Sequence, residues 1–191
     1  MPRERITPDA LVSAAADLAD EIGFDHLTLA ALAKRFGVRD ASLYTHIRGL
    51  ADLQERVALL ALAEWADALG GAIAGRSGYS ALCAFADAYR AHATGHPGRY
   101  AATRHPVSPE RLTESGAAAR IIGVCYALLR GYDLDEPEAT DAVRLLRSTL
   151  HGFSDLEATG GFTADHSLAT SWRRAVDILH HALTNWSNIP R

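Results

Sequence analysis

Lysine is nearly absent. Of the 19 cationic side chains only Lys34 is a lysine, and the rest are arginines. Against them stand 23 acids and a formal charge of −4, so the whole-chain basic signature of a nucleic-acid-binding protein is missing. Cysteine is equally scarce. Cys83 and Cys125 lie far apart in apolar surroundings, which excludes a disulfide framework or a zinc cluster. They read as buried thiols and suit a reducing cytoplasm. No run approaches the roughly 18 apolar residues that cross a bilayer. The opening MPRERITPDALV turns polar and proline-containing directly after its basic start, which is not a signal-peptide pattern. Nor is there a serine-nucleophile elbow or a glycine-rich phosphate loop following a strand. His92 and His96 are four apart, but the glutamate of the zinc-hydrolase motif is missing and Gly95-His96-Pro97 reads as a helix end. No enzyme, metal site or cofactor is expected.

What remains is rich in alanine and leucine, 48% hydrophobic overall, with few β-branched runs. That composition favours an all-α globular fold. Capping and glycine signals divide the chain into about nine helices with short connections. Thr7-Pro8 starts the first, whose Leu11, Ala15, Leu18 and Ile22 recur at helical spacing until Gly23. Thr28 caps a second, with Leu29, Leu32, Ala33 and Phe36 inward, and Gly37 supplies a turn. A short third helix spans 39–47, and Gly49 breaks it before a long helix of 50–69. Further helices are expected at 80–95, in GHPGRY, from Ser108-Pro109 to about 130, from Asp135 (with Glu138 as a capping box) to 158, and over 164–186.

The third helix is too short and polar to be a good core element. Val38, Leu43 and Ile47 suffice to anchor it, leaving its other residues to face outward. Helices two and three joined by a glycine turn form a helix-turn-helix pattern, in which the second helix enters the DNA major groove. Over 26–50 four cations, Lys34, Arg35, Arg39 and Arg48, face the single acid Asp40. A local basic patch in an acidic chain suits a small DNA-binding head on a body with another task, although a solvated helix surface has the same charge pattern.

The stretch LADEIGFDHLTLAALAKRFGV with its SLYTHI core resembles the N-terminal domain of TetR-family transcriptional regulators. LHGFSDLEATGGF, 150–162, resembles a C-terminal motif of a subset of that family. The resemblance implies a DNA-binding domain over 1–49 and a ligand-binding and dimerisation domain over 50–191. It places base contacts at Arg39, Asp40, Ala41 and Ser42. Arg39 suits guanine and Asp40 suits cytosine, each good pair discriminating by roughly 1–3 kcal/mol. Phosphate contacts fall on Thr28, Tyr44, Thr45 and His46, with Arg48 as a substitute for the family's usual lysine, whose position here is Leu50. That replacement and the lysine shortage imply a shallow salt dependence. Tyr44 as half-core, and Asp40 as a partner of its own helix's N-terminus, are the alternatives.

The resemblance further implies a homodimer reading a palindromic operator. Leu145, Ser148, Leu156, Trp172, Val176, Leu179, His180 and Leu183 are candidate interface residues, and intrachain core is the competing role for them. A cavity for a moderately hydrophobic small molecule is implied at Trp65, Leu69, Phe85, Tyr89, His92, Tyr100, Tyr126, Leu129 and His151. Ligand would favour a state with the heads displaced, and a coupling of about 1–3 kcal/mol changes operator affinity roughly 5–150-fold. The function implied is a cytoplasmic repressor released from DNA by its ligand. The alternative is a dimeric small-molecule-binding protein that has lost operator reading.

Overall fold

In the computed structural model, which describes residues 6–188, nine α-helices and four short 3-10 turns make up the regular structure, with no strand among the described residues. The outer ends of the expected 1–49 and 50–191 domains, and the basic start of MPRERITPDALV, lie outside the described residues. The helices are α1 (Pro8–Ile22), α2 (Leu29–Phe36), α3 (Leu50–Ile73), α4 (Gly78–Gly95), α5 (Pro97–Ala102), α6 (Pro109–Ser115), α7 (Ala117–Leu129), α8 (Glu136–Ala158) and α9 (Leu168–Thr184).

The local chemistry explains most of the boundaries. The Thr7 hydroxyl oxygen accepts the Ala10 amide at 3.1 Å with Pro8 at the first position. Thr28 does the same for Ala31 at 3.1 Å. Gly37 takes the left-handed conformation (φ 65°), and the Val38 amide reaches back to the Ala33 carbonyl at 3.0 Å, closing α2 in a Schellman turn. Asp135 and Glu138 form the full capping box of α8.

Two expectations are corrected. The short third helix is a 3-10 segment over Asp40–Thr45, not an α-helix over 39–47. Its bonds run three residues back, Ser42 to Arg39 at 2.9 Å and His46 to Leu43 at 2.9 Å, because so few residues separate its two breaks. The single helix expected from 108 to 130 is two helices. Gly116, at φ 64°, ends α6, and α7 starts afresh at Ala117.

The chain divides into two compact units. The first runs to Glu64 and takes in Gly95–Ala118; the second is Trp65–Thr94 with the chain from Ala119 onward. The expected boundary after residue 49 therefore does not coincide with the compact units: the first part of α3, α5 and α6 belong with the head. The first unit's core joins Leu11, Ala15 and Leu18 of α1 to Leu32, Leu43, Ile47, Leu53, Val57 and Ala102. Each fully buried leucine there contributes about 1.5–3 kcal/mol. Gly98 lies so close to the Ala19 carbonyl that no Cβ fits, which seats α5 directly on α1. Beside it the buried Arg99 guanidinium bridges Asp20, Asp17 (2.7 Å) and Glu64 (2.9 Å), and Asp20 also accepts the Arg99 amide at 2.8 Å. Burial opposes the Arg99 charge, yet Asp17 and Asp20 outweigh it and hold the proton more firmly than usual.

In the second unit α8 turns Ala139, Val143, Leu146 and Leu150 inward, and α9 turns Trp172, Val176, Leu179 and Leu183 inward. The α8 terminus explains the TGGF stretch. The Gly161 amide bonds back to the Leu156 carbonyl at 2.7 Å after Gly160 at φ 71°, and the Phe153 ring meets Phe162 at 4.9 Å and Trp172 at 5.0 Å.

Candidate nucleic-acid interface

The segment Asp40–Thr45 is held from beneath and bare on top. Leu43 is fully buried and Ile47 is 3% exposed, while Val38 packs against the same core. Arg39, Asp40, Ala41, Ser42, Thr45 and Arg48 are exposed, and His46 is half-buried. Tyr44 is 58% exposed, so it is not half-core. No side chain hydrogen-bonds the segment's N-terminus, and Asp40 is the acid of its first turn, where it also meets the positive end of the segment.

The two threonines differ in what they offer a phosphate. Thr28 accepts from the Ala31 amide, so its own hydroxyl proton stays free to donate. Thr45 donates its proton to the Ser42 carbonyl at 2.8 Å and must break that bond to donate elsewhere. The cations differ as well. Arg35 is spent on Glu21 at 2.7 Å and approaches Asp17, whereas Lys34, Arg39 and Arg48 are exposed. Leu50 is half-buried against the core and begins α3.

Asp52, in the first turn of α3, is a residue that sequence reasoning missed. Its carboxylate accepts the Arg48 amide at 3.0 Å, Arg56 at 3.0 Å and Arg111 of α6; Arg111 also reaches Glu55 at 3.0 Å. Burial pushes the Asp52 carboxyl up, but Arg111, the Arg48 amide and Arg56 together outweigh burial and bring it down to about 2. An acid in the first turn after Gly49 was legible as a helix-start signal; its partner on α6, 59 residues away, was not.

The expected ligand residues are all buried or half-buried. In the second unit Trp65 meets Tyr89 edge-on at 4.7 Å and stacks on His92 at 5.8 Å, with Phe85 at 6.4 Å from Tyr89; Leu69 is 1% exposed. Tyr126 pairs with Thr140 at 2.9 Å, and with Leu129 it lines a surface hollow of about 520 Å³. His151 is half-buried on α8. Tyr100 belongs to the first unit, with Arg104 over its ring. His96 lies beyond α4 and pairs with Asp20 at 3.1 Å. Burial raises the Cys125 thiol to about 11.

The expected interface residues separate into two sets. Leu145, Ser148 and Leu156 of α8 are exposed. Trp172, Val176, Leu179 and Leu183 are buried within their own chain, and His180 is held by the Tyr132 hydroxyl at 3.0 Å. These five are thus intrachain packing, because the stronger apolar stripe of α9 faces its own core. Ile178 of α9, away from that buried stripe, is 61% exposed.

Residues 11–57 match the model of bacterial regulatory proteins of the tetR family, and residues 82–179 match that of the tetracyclin repressor-like C-terminal domain. The chain is 35% identical over 170 residues to the uncharacterized HTH-type transcriptional regulator YobS of Bacillus subtilis (strain 168), covering 89% of this chain and 88% of that protein. It is 38% identical over 161 residues to the uncharacterized HTH-type transcriptional regulator Rv0681 of Mycobacterium tuberculosis (strain ATCC 25618 / H37Rv), covering 82% and 72%. Among solved structures, the transcriptional regulator SCO7222, a TetR from Streptomyces coelicolor, superposes with a TM-score of 0.71 over 94% of this chain and 98% of that one. At 20% identity that likeness is one of fold.

Proposed function

This chain belongs to the tetR family of bacterial regulatory proteins and is a DNA-binding transcriptional regulator; from that premise we propose that it is a repressor, released from a palindromic operator by a small, moderately hydrophobic ligand. The observation that carries the reading is the exposed face of Arg39–Thr45 standing on the buried Leu43 and Ile47. Within the head, 1–49, Arg39, Asp40, Ala41 and Ser42 read base edges. Thr28, Tyr44, Thr45, His46 and Arg48 hold phosphates and set register. The remainder, 50–191, carries the ligand and the dimer. Dimerisation uses the exposed stripe of Leu145, Ser148 and Leu156 with Ile178. The ligand is taken up among the aromatic groups around Trp65, Tyr89 and His92, and the 150–162 motif marks the C-terminal subset. DNA binding sets its place in the cytoplasm.

Selection of bound duplexes from a random pool tests this reading. The winning sequence should be a palindrome. Arg39→Ala should relax base preference at one position per half-site, by roughly 1–3 kcal/mol. Tyr44→Phe should weaken all duplexes alike. A purified protein that retards no duplex at low salt would sink the proposal.

A further inference from the structure

We propose that Arg111 and Asp52 are a positioning pair for operator binding, through which α6 sets the angle of the reading segment. The inference rests on that segment being the part that reads DNA. Asp52 is nearly buried, with its side chain 8% exposed, and it meets two different parts of the chain. On one side it holds the Arg48 amide at 3.0 Å. That amide sits between the anchored Ile47 and the turn at Gly49, whose φ of 142° only glycine adopts readily. Fixing it fixes how the reading segment leaves the core. On the other side Asp52 holds Arg111, which also grips Glu55 at 3.0 Å.

The second observation concerns α6 itself. This seven-residue helix buries none of its residues. Leu112 is its one half-buried apolar residue, so apolar packing is thin and the Arg111 fork on Asp52 and Glu55 adds a tie to α3. Arg56 and Arg111 also line an open hollow of about 420 Å³, so Arg111 itself is open on one side while Asp52 lies beneath it. A displacement of α6 would pull on Asp52 first, and Asp52 is already bonded to the backbone that ends the reading segment. Glu55 shares Arg111 but has no bond to that backbone, which makes it the internal control.

The test compares an operator selected from a random pool with a scrambled duplex of equal length, using the full chain and fluorescence anisotropy. Arg111→Met should weaken operator binding about tenfold or more while leaving the scrambled duplex within twofold. The slope of log affinity against log salt should not change, because no phosphate contact is lost. Arg111→Lys should recover part of the loss, and Glu55→Gln should stay within twofold of the parent. Asp52→Asn should match Arg111→Met and also speed hydrogen exchange at the Arg48 amide, a readout available even if Arg111→Met does not fold. Operator binding unchanged in Arg111→Met, or Arg48 exchange unchanged in Asp52→Asn, overturns the proposal. Equal loss on both duplexes with a shallower slope also overturns it, by making Arg111 a phosphate contact. A parent chain that binds neither duplex removes the DNA-reading assignment along with it, and is told apart by that arm alone.

Discussion

Asp52 is where acid reaches the head. Its folded value of about 2 lies below the ordinary carboxylate value of about 3.9, so its ionisation stabilises the fold by about 2 kcal/mol at neutral pH. The sign follows from the depressed value. The contribution is complete above about pH 4 and is lost as pH falls through 4 toward 2. Urea unfolding of Asp52→Asn should therefore show a flatter decline over that window than the parent. Arg99 belongs to the same class of residue. Replacing it with Met leaves Asp20 nearly buried with its main partner gone, while Asp17 and Glu64 keep water around them. A loss of about 3 kcal/mol is expected, at the low end for a broken buried pair, and denaturant midpoints measure it. Gly98→Ala should also destabilise, by about 1–3 kcal/mol, despite alanine's better helix propensity, because the Ala19 backbone cannot yield as a side chain would.

At the scale of elements, α9 is the informative case. It carries two apolar stripes: Trp172, Val176, Leu179 and Leu183 on one face, Ala175, Ile178 and Ala182 on the other. The first is larger and suits either an interface or the chain's own core; it packs inside the chain. Helical periodicity reports that a face is apolar, not what covers it. The two faces should respond differently to substitution. Leu179→Ala should cost about 2–5 kcal/mol of fold stability. Ile178→Glu should leave the fold nearly unchanged and shift a dimer toward monomer in sedimentation. Intact association in Ile178→Glu would remove that face from the proposed interface. The two glycine-ended elements differ in the same way: Gly37 and Gly116 each stop a helix in a conformation that other residues resist, yet only Gly37 stands out in the sequence, because the chain on both sides of Gly116 also reads as helix.

For the molecule as a whole, charge placement matters more than charge count. Among the described residues of the head region, Lys34, Arg39 and Arg48 are exposed and stand clear of carboxylates, whereas Arg35, Arg56, Arg99 and Arg111 are spent on acids. If all three met phosphates in both heads of a dimer the salt slope of operator binding would be roughly −5, and with Arg39 turned to a base edge it should be shallower than that. A much steeper slope in titrations between 50 and 200 mM salt would mean that phosphates are held by groups outside this set.

Local patterns in the sequence were enough to determine the helical class, the capped starts at Thr7, Thr28 and Asp135, the glycine turns, and the short segment with Leu43 and Ile47 beneath an exposed polar face. Each of these depends on residues within a turn or two of one another, where propensity, capping and periodicity act. Tertiary structure alone decided the rest: that α5 and α6 join the head, that Arg99 and Arg111 neutralise acids on α1 and α3, and which face of α9 is covered. Those outcomes depend on partners tens of residues apart, and an ion pair or a buried face leaves no periodic mark on the chain until folding brings its two sides together.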